Sequence, residues 1–136
     1  MAQLIVLDAS VAIAALAADD PHHHAASTAL TALTDTDLVI AATTREEILV
    51  GPSGTGGAAL AAARAFVDGC ETVPVTAPIA DQAAALKARH RALSLPDAIA
   101  LVVGRLIDAD AVWTFDRRWR SADPHDHTAP TPTGSD

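Results

Sequence analysis

Aromatic residues are scarce in this chain: two Phe, two Trp and no Tyr among 136 residues. That argues against a platform of stacked rings of the kind that holds single-stranded nucleic acid. Cysteine occurs once, as Cys70, so neither an internal disulfide nor a cysteine-built zinc cluster is available. Lysine also occurs once, as Lys87, against eight arginines. No basic start precedes an apolar run near the N-terminus, so no signal peptide is expected. The run from Leu4 to Ala18 is broken by Asp8. No uncharged stretch reaches the roughly 18–20 residues that cross a bilayer. The expectation is a soluble, cytoplasmic protein with no membrane partner.

What the chain does have is alanine. Thirty-two residues are Ala and half of the chain is apolar, so wholesale disorder is excluded and the composition leans helical. The length fits one domain with one core. Leu4-Ile5-Val6-Leu7 has no polar alternation and reads as a strand buried on both faces, as in a parallel sheet. Further strands are expected at 38–40, 72–75 and 111–113. Helices are expected at 11–18, 22–33, 43 or 44 to 50, 58–68, 79–92 and 94–107. Gly51-Pro52 is read as the stop of the third helix, and residues 53–57 as a flexible connector, since they lack the lysine and spacing of a phosphate-binding loop. Short buried strands alternating with helices give an α/β fold: a three-layer α/β/α sandwich around a mainly parallel sheet. The expected domain covers 1–121. Residues 122–136 are rich in Pro, His and Thr and read as a flexible tail.

Four acids fall where such a fold can gather them. Asp8 and Asp116 each follow a buried strand, and the carboxyl ends of parallel strands share one edge, where ligand sites form. Glu47 and Asp97 are expected in the first turns of helices opening toward that edge. Each has a plainer explanation. Thr44-x-x-Glu47 and Ser94-x-x-Asp97 match capping boxes, Asp8 suits an N-cap, and Asp116 suits a turn. The functional case rests on the four together. Carboxylates sharing a pocket repel and resist ionising, and a hard divalent cation removes the conflict. Mg²⁺ takes oxygen ligands, with Mn²⁺ as an alternative, and such carboxylate-held ions serve phosphodiester cleavage.

Leu7-Asp8-Ala9-Ser10, Glu47-Ile48-Leu49-Val50-Gly51, Leu95-Pro96-Asp97-Ala98-Ile99-Ala100 and Thr114-Phe115-Asp116 occur in this order. Together they resemble the four motifs of PIN-domain ribonucleases, specifically the VapC toxins of bacterial VapBC toxin–antitoxin systems. The likeness runs from residue 3 to about 121, with 18 residues between Asp97 and Asp116. It implies a PIN-like fold and Mg²⁺-dependent cleavage of RNA. By position, Asp8 and Asp97 become principal metal ligands. Asp116 completes the cluster directly or through water. Glu47 holds a second ion or positions the attacking water. The offset to Gly51 selects Glu47 over the adjacent Glu46. Ser10 and Thr114 match polar positions that hydrogen-bond the acids. Trp119 stands where these toxins usually carry Phe, suited to packing the last helix. The family also implies a VapB-like antitoxin that sends an Arg into the acidic pocket, and a homodimer formed through helices.

The net charge of −8 opposes RNA binding at long range, so local basic patches must draw substrate in. Arg117, Arg118 and Arg120 follow Asp116 directly and are expected to contact phosphate. Lys87 and Arg91, with Arg89 and His90 between them, form either a second patch or a solvated helix face. Three consecutive histidines, His22 to His24, cannot share one helix face and read as an exposed helix start rather than a metal tract. His125 and His127 fall in the tail. A receiver-like phosphoacceptor module also gathers acids around Mg²⁺. It needs an acidic pair after the first strand and a late lysine, and here Asp8 precedes Ala9 while Lys87 falls in a helix. A haloacid-dehalogenase-type phosphatase wants Asp-x-Asp, and Ser10 replaces the second Asp. An RNA-processing nuclease without a toxin role, or a PIN-like fold kept only for binding, stays open.

Overall fold

The computed structural model describes residues 2–116 and Trp119. Four strands and six helices alternate: β1 (Gln3–Leu7), α1 (Ala9–Leu16), α2 (His23–Thr31), β2 (Thr36–Ala41), α3 (Ala42–Thr55), α4 (Gly57–Asp68), β3 (Glu71–Val73), α5 (Ala77–Arg89), α6 (Leu95–Leu106) and β4 (Ala111–Trp113). All the strand pairs are parallel and the sheet order is β3-β2-β1-β4. The expected tail, with its boundary at residue 121, and Arg117, Arg118 and Arg120 lie outside the described residues.

The strand runs are continuously apolar because both faces of the sheet are covered. Val6, Val39 and Val112 face α5, α6 and Trp119. Their neighbours Ile5, Leu7, Ile40 and Trp113 point the other way, into the core shared with α1 to α4. Period-two alternation of strand side chains thus produces two cores and the expected three layers. α6 is the most deeply embedded of the described helices, with Asp97 through Gly104 all buried. Its Gly104 packs against β4, where a Cβ would meet Val112 Cγ2 at 2.5 Å. Trp119 is buried in the α5/α6 core, as its aromatic character implied.

Two readings need correction. α3 does not stop at Gly51-Pro52 but runs on to Thr55. Pro52 lacks the N–H that would bond back one turn, yet the next turn closes through Gly56 N–H to Pro52 O at 2.8 Å. α3 packs against α4 and α1, and that tertiary contact outweighs the local cost of Pro52. The stop comes instead at Gly56 and Gly57, with φ of +73° and +58°, a conformation that favours glycine. Only Gly56 lies between the two helices, so the expected flexible connector over 53–57 is a single residue.

Candidate functional site

The sheet order reverses beside β1. The chain moves outward from β1 to β2 to β3, and β4 then inserts on the other side of β1. The carboxyl ends of β1 and β4 flank this switch point, where open parallel sheets bind ligands. Asp8 leaves β1 there, its amide N–H donating to Trp113 O at 2.9 Å and extending the β1–β4 ladder by one bond. The main chain thereby fixes Asp8 against the segment that carries Thr114, Phe115 and Asp116.

Side chains complete the attachment. The Ser10 and Thr114 hydroxyls both donate to Asp8 Oδ2, at 2.8 and 2.9 Å. Each hydroxyl oxygen then accepts a backbone N–H: Phe115 on Ser10 Oγ at 3.1 Å, and Asp116 on Thr114 Oγ1 at 2.9 Å. Ser10 and Thr114 thus both hydrogen-bond the Asp8 carboxylate. Asp8 is 4% exposed and Thr114 5% exposed, so these bonds are largely shielded from water. Asp8 is the N-cap residue of α1, as its position suggested, but its side chain makes no capping hydrogen bond and is engaged with Ser10 and Thr114 instead.

Asp97 enters from the start of α6. Ser94 caps that helix by accepting from the Asp97 N–H at 3.2 Å. Half of the capping box therefore forms. The Asp97 carboxylate makes no hydrogen bond among the described residues and is left available, although the residue is only 8% exposed. Glu47 enters from α3. It was expected in the first turn, but α3 begins at Ala42, which puts Glu47 in the second turn. Thr44 is a helical residue, not the cap, so the capping explanation for Glu47 fails. Glu47 Oε1 is buried without a hydrogen-bond partner.

Electrostatics show that three of the four acids share one field. Asp8 is pushed up from 3.8 to about 6, first by burial and then by the charge on Asp97. The Ser10 and Thr114 hydroxyls and the Ala9 backbone pull the other way. Glu47 is pushed up from 4.5 to about 7, first by burial, then by Asp8, Asp97 and the neighbouring Glu46. Asp116 joins through its backbone and is half-buried. No three His, Cys, Asp or Glu side chains among the described residues stand close enough to form a finished cation cage. The donor set nevertheless suits a hard divalent cation. It is made of carboxylate oxygens, with the Asp8 and Glu47 carboxyls raised by burial and neighbouring charge, and it includes an unpartnered buried Glu47 oxygen.

The basic and histidine readings change more. The Lys87 ammonium donates to Leu93 O at 2.8 Å and Arg91 O at 3.3 Å, clamping the loop before α6. It therefore serves the approach to Asp97 rather than a solvated patch. Arg45 pairs with Asp68 at 2.8 Å and reaches Thr72 and the Val67 carbonyl. The histidine tract diverges, as its spacing required, but two of its members are engaged rather than exposed. His22 stacks on Phe115 with ring centroids 4.5 Å apart and planes 7° apart. His23 Nδ1 donates to Ala14 O at 2.9 Å, and His24 is exposed. Nothing in the sequence signals the His22 contact, because its partner lies at the far end of the chain. On the opposite side of the sheet from α5 and α6, an apolar cleft of about 410 Å³ opens between α1, α3 and α4, lined by Ile13, Leu16, Ile48, Pro52 and Ala59 among others.

The fold is a parallel α/β sandwich that carries Asp8 and Asp116 at the switch point of its sheet. The model of the PIN domain family matches residues 5–123, and the chain belongs to that family. Its fold is similar to that of three solved structures. A toxin–antitoxin complex from Klebsiella pneumoniae superposes with a TM-score of 0.74 at 20% identity, covering 93% of this chain and 97% of that one. VapC20 of Mycobacterium tuberculosis, a sarcin–ricin loop cleaving toxin, gives 0.74 at 24% identity over 87% and 94% of the two chains. VapBC2 from Rickettsia felis, bound to a DNA fragment from its promoter, gives 0.63 at 11% identity over 88% and 93%. No curated protein sequence matches the chain. Among the described residues no helix is long and apolar enough to cross a membrane.

Proposed function

We propose that this chain is a Mg²⁺-dependent endoribonuclease, Mn²⁺ being a workable substitute, and the toxin of a type II toxin–antitoxin pair. The observation that supports this most is the raising of the Asp8 and Glu47 carboxyls by burial and by the charge of neighbouring acids, Asp97 acting on both, in a PIN-domain chain. Asp8 and Asp97 are the principal holders of the cation, with Asp116 completing the set directly or through water. A bound divalent ion supplies Lewis acidity at the phosphoryl oxygen and a lowered pKa for a bound water.

The chain's own groups do the rest. The two hydroxyls on Oδ2 fix the Asp8 carboxylate for the ligand. Glu47, with proton affinity lifted into the neutral range, orients a water and takes its proton as the new oxygen–phosphorus bond forms and the ester bond to the leaving nucleotide breaks. Arg117, Arg118 and Arg120 follow Asp116 in the chain and are assigned to the RNA phosphates, offsetting the overall −8 charge.

A VapB-like antitoxin is the expected partner, with its arginine matched to the carboxylates. The apolar cleft between α1, α3 and α4 offers its chain a hydrophobic seat. A homodimer and a cytoplasmic site of action complete the reading. The test is RNA cleavage by the wild type and by Asp97→Asn, with Mg²⁺ and with excess EDTA. Loss of cleavage in the variant with unchanged circular dichroism, and loss in EDTA, is expected. Cleavage at the wild-type rate by Asp97→Asn, or in excess EDTA, overturns the assignment.

A further inference from the structure

We propose that His22 is a positioning residue for the acidic site, acting through the face of its ring on Phe115 to hold the segment that carries Thr114 and Asp116. This rests on the nuclease reading above and adds to it a residue outside the four motifs.

Phe115 lies between the residue that holds Asp8 and the residue expected to complete the site. Its own amide N–H donates to Ser10 Oγ, which in turn donates to Asp8 Oδ2. Any tilt of Phe115 therefore moves both hydroxyl contacts to Asp8 and the Asp116 amide that rests on Thr114 Oγ1. His22 is the ring laid against it, its plane nearly parallel at 7°. No other stacked ring pair occurs among the described residues.

The turn presents that ring from a fixed base. The His22 amide donates to Asp20 Oδ1 at 2.8 Å, and its carbonyl accepts from Ala26 N–H at 2.9 Å. The next residue is pinned to α1 by the His23 bond to Ala14 O. The turn between α1 and α2 thus reaches across to the exit of β4 and braces it.

The contact is made by the ring face and not by a polar atom. His22 Nδ1 is buried and has no hydrogen-bond partner. A phenyl ring in its place keeps the stack and removes an unsatisfied polar atom, whereas an aliphatic chain of similar bulk fills the space without a flat face. The two substitutions separate a stacking role from simple space-filling.

The experiment compares wild type, His22→Phe and His22→Leu by two readouts: calorimetric titration of the RNA-free protein with Mn²⁺, and steady-state RNA cleavage. His22→Phe is expected to match the wild type in both. His22→Leu is expected to bind Mn²⁺ more weakly and to lose kcat by roughly 10- to 100-fold with KM little changed, the scale of a small misplacement of catalytic groups. In a Phe115→Leu background, His22→Leu should add nothing further. The proposal is overturned if His22→Leu binds Mn²⁺ and cleaves like the wild type, or if His22→Phe is as impaired as His22→Leu. A wild type that binds Mn²⁺ but cuts no RNA defeats the nuclease reading alone, because the Mn²⁺ comparison still decides the role of His22. A wild type that binds no Mn²⁺ overturns both.

Discussion

Replacing Asp8 with Asn should make the metal-free protein more stable. The Asp8 carboxyl is raised from 3.8 to about 6 in the folded chain. Its ionised form is therefore disfavoured by folding. A shift of about two units corresponds to roughly 3 kcal/mol at a pH where the group is ionised in both states. Asparagine keeps an oxygen to accept from Ser10 and Thr114 but buries an amide N–H₂, which takes back part of the gain. A net stabilisation of roughly 1–3 kcal/mol is expected at pH 8, or about 4–12 °C in melting temperature for a chain of this size.

The pH dependence carries the sign. Below the unfolded value of 3.8, Asp8 is protonated in both states and imposes no penalty. The penalty grows as pH rises from about 3.8 to about 6 and is complete above that, so the advantage of Asp8→Asn should grow over the same window. Thermal melts in EDTA at half-unit pH steps would measure it. Mn²⁺ should then reverse the order, stabilising the wild type and leaving the variant unmoved. An Asp8→Asn protein that is equally or less stable at pH 8, or an advantage that grows as pH falls, refutes the electrostatic account of the site.

Three further outcomes follow from the same geometry. Thr114→Val removes a donor to Asp8 and strands the Asp116 N–H, so urea unfolding should show a loss of roughly 1–3 kcal/mol, and an unchanged midpoint counts against the bond network. Carbon-detected titration of the metal-free protein should find the Glu47 carboxyl titrating at about 7, and added Mg²⁺ should move it down; an ordinary value without metal contradicts the crowding of Glu47 by Asp8 and Asp97. Gly104→Ala places a methyl against Val112, 2.5 Å from its Cγ2, and should cost roughly 1–3 kcal/mol, with Val112→Ala restoring part of the loss. Stability equal to wild type would show that α6 and β4 separate more easily than their packing implies.

Much of the frame was legible because it is written in contiguous residues. Leu4 to Leu7 announce a buried strand, and Asp8 and Asp116 follow the two strands that flank the switch point. Ser94 was legible as a cap for the same local reason. The misreadings share a different cause. Gly51-Pro52 looks like a helix stop only until α1 and α4 pack beside α3. Lys87 looks like a surface charge until the loop at 91–93 folds back over its ammonium. The His22 tract looks solvated until β4 delivers Phe115 to it. In each case a contact distant in sequence outweighs a local preference, and one sequence carries no trace of that contact.

The margin of the sheet formed by β3 has its own consequence. This strand is only three residues long, and Pro74, which has no N–H to offer, follows it at once. A foreign segment seeking to extend the sheet by main-chain pairing finds almost no ladder to continue there. Recruitment of another polypeptide along that side must then rely on side-chain contacts with the flanking helices.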